Sequence, residues 1–378
     1  MAVPTAITDL SVTAASNSPA GSDAIGTTLD DFLRSHGAFI AQLYTASQGR
    51  NKVINGGFEI AQRGTSFTAG TNSDDMYTLD RWYLLSDGND IVDVTQESTT
   101  VPTNGHRAIA LDVETANKKF GIAQIIEGAN CAGLIGNTVT LSFKAKVSAT
   151  TKLDNVKAAI IAWSGTEDTV TSDIVSAWEV EGTRPTLIAN ATYENTPANL
   201  NLTTSYATYT ISAAVDTAST KNIILFIWSD VTDTTAGDFL YIADVQLEAG
   251  SVRSPFESRI IETELAMCQR YYYRKSLGTV GAIFAVANNI STTQAVGYID
   301  FPVTMRAAPT LEQNGTAGDY GVQHAATSTA CSAVITISAA TIYGSRLVAT
   351  VAAGLTAGQG SSIRSQANTP YIGWTAEL

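Results

Sequence analysis

Ile223-Ile224-Leu225-Phe226-Ile227-Trp228 and Thr138-Val139-Thr140-Leu141-Ser142-Phe143 are the runs that decide the fold class. Successive side chains of an extended chain point to opposite faces, so Ile224, Phe226 and Trp228 share one face. In the second run the apolar residues Val139, Leu141 and Phe143 fall together in the same way. Ala108-Ile109-Ala110-Leu111, Ala158 to Trp163 and Tyr206 to Ile211 repeat the theme between Asn51 and about Pro255, separated by Gly, Asn, Asp and Thr. Short apolar runs with turn punctuation predict an all-β sandwich, with Trp228 and Trp163 in its core.

Outward from this region the pattern changes at both ends. Residues 1–25 are rich in Ala, Ser, Thr, Asn and Pro and read as an extended arm. A helix is predicted from about Leu29 to Tyr44, with Thr28 and Asp31 in capping-box spacing. Its stripe of Leu29, Phe32, Phe39, Ile40 and Leu43 approximates a short seam through His36, and Leu29, Phe32, Phe39 and Leu43 are the candidate oligomerisation residues. The alternative is one amphipathic helix lying on its own domain.

Past the sandwich, Ile261, Leu265, Cys268 and Tyr272 recur at helical spacing, predicting a second helix from about Arg259 to Arg274. Arg270-Tyr271-Tyr272-Tyr273-Arg274-Lys275 reads either as a polyanion site or as a packed helix end with snorkelling stems. Strands are predicted at Val280 to Val286, Ala295 to Phe301, Ala333 to Ser338, Arg346 to Val351 and Tyr371 to Leu378, with an exposed loop between Asn314 and Thr329. The expected architecture is mainly β: a central jelly-roll β-sandwich plus a smaller C-terminal β-sandwich, with short N-terminal and inter-domain helices. Its divisions fall at 1–50, 51–256, 257–277 and 278–378.

Of 378 residues 44% are hydrophobic and 15% charged, which excludes a disordered chain. A net charge of −13 opposes binding to phosphate backbones, so no nucleic-acid partner is expected. Cys131, Cys268 and Cys331 are few and far apart, indicating neither a disulfide framework nor a zinc site and fitting assembly in a reducing cytoplasm. The opening residues lack a signal-peptide pattern and no apolar run reaches membrane-spanning length, so no membrane insertion is expected.

Four segments carry a resemblance. Asn55-Gly56-Gly57-Phe58-Glu59, Asp80-Arg81-Trp82-Tyr83, Gly136 to Lys146 and Phe239 to Leu247 resemble, in order, segments of the jelly-roll carbohydrate-binding modules attached to xylanases and cellulases. A wider set resembles phrases of phage tail-fibre and related virion proteins: Val53 to Phe67, Val245 to Gly250, Ser254 to Arg259, Cys268 to Tyr273 and Phe301 to Thr310. This second resemblance implies a trimeric virion appendage, made in the host cytoplasm. Its partners would be other copies of itself, other virion proteins through the N-terminal region and a host surface glycan.

Sugar rings stack on aromatic faces while polar groups hold their hydroxyls. Trp178, between polar segments in Ser176 to Gly182, is the leading carbohydrate-binding candidate, with Trp82 and Tyr83 beside it. The resemblance also implies a structural calcium held by Glu59 and Asp244, although Ala243 stands where the modules carry a further acid and calcium needs several oxygens. His36, His106 and His324 lie in three regions without partners, and no nucleophile elbow, zincin or phosphate-loop motif is present, so no enzyme is expected. The alternatives are a capsid-decorating or collar protein with a structural role and the binding module of a glycan-degrading enzyme.

Overall fold

The computed structural model describes residues 29–46, 49–216 and 219–378. The arm read over residues 1–25 and the capping residue Thr28 lie outside them, as does the side chain of Leu43. The chain divides into two compact units, one reaching to Ile260 and including Leu378, the other Ile261–Glu377.

In the first unit α1 (Leu29–Ala46) is followed by β1 (Ser66–Phe67), β2 (Met76–Tyr77), β3 (Tyr83–Ser86), β4 (Val92–Glu97), β5 (Ala108–Val113) and β6 (Phe120–Ile126). After the single turn α2 (Gly128–Cys131) come β7 (Thr138–Val147), β8 (Val156–Trp163), β9 (Val175–Ala177), β10 (Thr186–Leu187), β11 (Ala191–Tyr193), β12 (Ala207–Ala214), β13 (Asn222–Ser229) and β14 (Phe239–Ala249). Two six-stranded sheets form: a front sheet β1-β4-β5-β14-β7-β12 and a back sheet β11-β8-β13-β6-β3-β2. The chain passes between them repeatedly, at β5–β6, β6–β7, β7–β8, β12–β13 and β13–β14, which makes a jelly roll of antiparallel neighbours.

Alternation explains the layers. Val139, Leu141, Phe143, Ala145 and Val147 of β7 meet Ile223, Leu225 and Ile227 of β13 in one buried core. Each of these side chains except Ala145 contributes about 1.5–3 kcal/mol through burial. The other face of β13 is buried too: Ile224, Phe226 and Trp228 are inaccessible, with Phe226 stacked on Trp228 at 4.6 Å. Hence β13 reads as a continuous apolar run rather than an alternating one.

In α1, Phe32 and Phe39 are buried within a single chain, whereas Leu29 and Ile40 are exposed. Seven residues apart, the two rings lie on one helix face. The seam drawn through Leu29, Phe32 and Phe39 is therefore corrected: its two phenylalanines are already covered.

The second unit begins with α3 (Ile261–Gln269), followed by β15 (Tyr272–Ser276), β16 (Ile283–Asn289), β17 (Gln294–Asp300), β18 (Thr310–Gln313), β19 (Tyr320–His324) and β20 (Thr327–Ala330). It ends with β21 (Thr336–Ser338), β22 (Gly344–Thr350), β23 (Gly360–Ser365) and β24 (Tyr371–Thr375). A seven-stranded sheet β20-β19-β23-β16-β17-β22-β21 and a three-stranded sheet β15-β24-β18 enclose a core around Trp374, Ile372, Leu347 and Ile363.

Two local expectations are corrected here. The helix ends at Gln269, and Tyr272 to Ser276 pair with β24 as a strand. Tyr271 and Tyr272 are buried and the Arg274 guanidinium lies 3.4 Å from the Tyr371 ring centre, so this cluster packs within its own unit. The stretch expected as an exposed loop, Asn314 to Thr329, instead contains the hairpin β19–β20, turned at Ala325 in a left-handed conformation.

Candidate functional site

The opening motif of the first unit is structural. Asn55 and Phe58 both adopt left-handed backbone conformations, at φ 57°, and the Asn55 side chain locks the loop. Its Nδ2 donates to the carbonyls of Ile60 (2.8 Å) and Asp80 (2.9 Å), and its Oδ1 accepts from the Ile60 amide (2.9 Å). Trp82 Nε1 donates to the Asn55 carbonyl at 2.9 Å while its ring packs on Phe58 at 5.2 Å. Gly56 exchanges backbone contacts with β14 so closely that a Cβ there would sit 2.1 Å from the Val245 oxygen.

The two sugar-stacking candidates in this motif are thereby corrected. Trp82 and Tyr83 have no accessible surface, and a ring that solvent cannot reach offers no face to a sugar. Burial pushes the Tyr83 phenol well above the usual tyrosine range.

Three of the five segments that resemble virion proteins, Val53 to Phe67, Val245 to Gly250 and Ser254 to Arg259, meet with Arg50 and Asn51 in one polar closure. Glu257 accepts from the Asn51 amide (2.6 Å) and its own amide donates to Gln246 Oε1 (2.8 Å). Arg259 donates to the carbonyls of Val53 and Asn51. Buried Glu248 accepts from Ser254 Oγ at 2.6 Å and pairs with Arg50 at 3.4 Å. These contacts tie the beginning and end of the jelly roll together.

Trp178 lies in the insertion between β8 and β11 that covers the back sheet. It is half-buried, edge-on to Phe226 with ring centres 5.9 Å apart. A buried charge cluster holds its backbone: Lys119 Nζ is 2.5 Å from Asp230 Oδ1 and donates to the Trp178 and Val180 carbonyls. Lys157 Nζ reaches Asp230 Oδ2, also at 2.5 Å. Trp178 thus pins the insertion to Phe226.

The two proposed calcium ligands are turned to other partners. Asp244 sits at a bulge in β14 with φ 51°, and its Oδ2 is 2.8 Å from Lys144 Nζ. Glu59 Oε1 is 3.6 Å from His106 Nδ1. Among the described residues no group of three or more His, Cys, Asp or Glu side chains is placed to hold a metal. An ammonium against one of only two carboxylates does not fit a hard cation that needs many oxygens, so calcium has no fitting donor set at Glu59 and Asp244.

An outward surface that the sequence reading passed over lies on the front sheet. Leu240 and Ile242 of β14 point inward and are buried, so Phe239 and Tyr241 point outward, stacked at 5.5 Å with 11° between their planes. Tyr241 stands opposite Ala110 of β5 on one side and Lys146 of β7 on the other. Lys146 Nζ lies 5.3 Å from the Tyr241 ring centre and 5.9 Å from that of Tyr206, whose hydroxyl donates to the Thr100 carbonyl at 2.9 Å. Ala108 and Ala110, on the same face of β5, are buried beneath the neighbouring side chains and leave the rings as the accessible surface.

Acids line one margin of this platform. Asp112 stands opposite both Phe239 and Asp93 in adjacent strand pairs. Burial, then the charges of Glu114 and Asp93, raise the Asp112 carboxyl to about 6, and its Oδ1 has no hydrogen-bond partner. Burial and the acids Glu114 and Asp90 also raise Asp93. Glu97 goes the other way: burial opposes its charge, but hydrogen bonds from Thr99, Thr100 and Ser98 outweigh this and bring it to about 2. The platform therefore offers aromatic faces for sugar C–H groups, with carboxyl, ammonium and hydroxyl groups at its edges.

The remaining functional groups are scattered. His324 Nε2 is 2.9 Å from Thr329 Oγ1, and His36 packs near Phe39. Cys131, Cys268 and Cys331 are buried, and burial raises the thiols of Cys131 to about 12 and Cys331 to about 11. No helix among the described residues is long and apolar enough to cross a membrane.

No protein-family model and no curated protein matches this chain. Among solved structures it is similar to the enzymatically active domain of tailspike protein 4 from bacteriophage CBA120, at 16% identity and a TM-score of 0.31, over 53% of this chain and 21% of that one. It is similar to modules of a Clostridium thermocellum endo-1,4-β-D-xylanase complexed with xylohexaose, at 13% identity and a TM-score of 0.33, over 53% and 29% of the two chains. A xylan-binding domain from Paenibacillus barcinonensis matches at 12% identity and a TM-score of 0.28, over 49% of this chain and 99% of that one. The chain thus spans about a fifth of the tailspike domain that it matches.

Proposed function

We propose that this chain is a non-enzymatic structural protein of a phage virion, a trimeric appendage subunit that attaches to a host surface glycan through the outer face of its front sheet. The observation that carries glycan binding is the outward Phe239–Tyr241 stack with its polar margins. The virion setting is supported by the five segments that resemble virion proteins, three of which meet in the polar closure around Gln246, Glu248 and Arg259. Several weak sites on one particle give tight attachment, so each platform needs only modest affinity.

Titration of host surface polysaccharide tests this reading. Removing a stacking ring costs about 1–2 kcal/mol, so the Phe239→Ala/Tyr241→Ala double variant should bind at least tenfold more weakly with unchanged circular dichroism. Unaltered binding would assign recognition to another surface. Labelled particles in negative stain separate a tail position from a capsid or collar one.

One observation favours a second reading, glycan hydrolysis. Asp93 and Asp112 are cross-strand neighbours on the platform, and such pairs place Cβ atoms about 4.5–5.5 Å apart, compatible with the carboxyl separation of a retaining glycosidase. The raised Asp112 suits a general acid. Reducing-sugar release by the native protein that Asp112→Asn abolishes would establish it.

A further inference from the structure

Among the described residues, sheet edges are short or charged, with one exception. β1, β2, β9, β10, β11, β18, β20 and β21 span two to four residues each. β15 is longer but carries Arg274 and Lys275. β12, Ala207-Thr208-Tyr209-Thr210-Ile211-Ser212-Ala213-Ala214, runs eight residues along the rim of the front sheet with no charge, proline or glycine. Natural proteins shorten, charge or cover such an edge because its free backbone groups template another strand.

The register shows which groups are free. Gly250 N donates to the Thr138 carbonyl (2.8 Å), while Leu247 turns its amide and carbonyl away from β7 towards Asn51 and Lys52. Both amide and carbonyl of one strand residue point to the same side. Thr138, Thr140, Ser142 and Lys144 therefore face β14, and their partners across the other side, Ala214, Ser212, Thr210 and Thr208, direct their backbone groups out of the sheet. Among the described residues no turn, loop or side chain takes these groups up. Beside the edge lies a cleft of about 390 Å³ lined by Ala158, Asn195, Thr196, Ala198 to Leu200 and Thr210 to Ser212.

We propose that β12 docks against β12 of a second copy of this chain, extending the front sheet across a two-fold axis. The edge is self-complementary. Setting Thr210 opposite Ser212 and Thr208 opposite Ala214 uses all four outward residues of each strand and gives two hydrogen bonds per pair. The same register puts Ile211 against its own symmetry mate and Tyr209 against Ala213, large against small. These side chains lie on the core face, where each copy's cleft receives the other's apolar groups. With no charge along the strand, self-pairing meets no like-charge repulsion there.

Two variants of the full chain test this. In Thr210→Pro the missing amide is one that faces outward, so the β7 ladder stays whole. Its solution mass, by light scattering, should be half that of the native protein, whether the native particle is a dimer or two of the proposed trimers joined face to face by three such pairs. In Ile211→Cys the facing α-carbons would lie about 4.5 Å apart, close enough for a disulfide, and mild oxidation should link copies in pairs on a non-reducing gel. The native cysteines are buried and should not link. A Thr210→Pro mass equal to the native one, or the absence of linked Ile211→Cys pairs, overturns the proposal. Loss of glycan binding in the platform variants bears on neither result.

Discussion

Gly56 shows how tightly single residues determine this fold. Its own carbonyl accepts from the Val245 amide at 2.9 Å, so an added methyl would press on the backbone of β14 and not on a side chain that can move aside. Gly56→Ala should therefore lower stability by about 3 kcal/mol or more, read as a shift of the urea midpoint, whereas Gly133→Ala, in open space, should leave the midpoint nearly unchanged. Asp112 governs a different property. Its folded pKa, about 6, exceeds the ordinary aspartate value of 3.8, so folding binds its proton more tightly. The stability this proton brings is complete below pH 3.8 and is lost as pH rises through about 6; Asp74, raised to about 6 by burial, has the same sign. Glu97 acts at the opposite end, losing its contribution as pH falls from 4.5 through about 2. Asp112→Asn should thus flatten the fall in melting temperature between pH 4 and 6 and raise it near neutrality by about 1–3 °C. A steeper fall in the variant would show that another carboxyl dominates that window.

At the scale of elements, the insertion over the back sheet depends on Asp230. Two buried ammonium groups share this carboxylate, which also accepts from the Gly182 amide at 3.0 Å. Removing one member of a buried ion cluster costs about 3–5 kcal/mol because the remaining charges stay unpaired. Asp230→Ala should release the insertion, seen as faster amide exchange over residues 176–186 and a red shift of Trp178 fluorescence; unchanged exchange there would mean that the aromatic contact alone holds it. The strands of the jelly roll were legible in the sequence because apolar runs and alternation are local signals, as in β7 and β13. The strand β15 was not: Tyr272 to Ser276 gain their conformation from β24, about a hundred residues later, and periodicity in a short window cannot see that partner. The β19–β20 hairpin escaped for a related reason, since its turn at Ala325 lacks Asn or Gly. The platform was half visible. Phe239 and Tyr241 stand in a segment that resembles the carbohydrate-binding modules, and alternation against buried Leu240 and Ile242 places them outside, whereas residue type alone favours the tryptophans Trp82 and Trp178.

For the whole molecule, each unit described has its own core, one within the jelly roll and one around Trp374. The platform, the polar closure and the Lys119–Asp230–Lys157 cluster all belong to the first unit, and every contact described for them lies between residues 50 and 259. A fragment spanning residues 49–260 should therefore fold cooperatively and keep the affinity of a single platform for soluble oligosaccharide. Attachment to intact cells is a different quantity, because a particle presenting several linked platforms gains effective concentration that a lone unit lacks. The fragment should match the full chain in oligosaccharide titration yet bind cells about 100-fold more weakly. Equal binding to cells would assign attachment to one strong site per chain, and weaker oligosaccharide binding by a folded fragment would place part of the sugar site in residues 261–378.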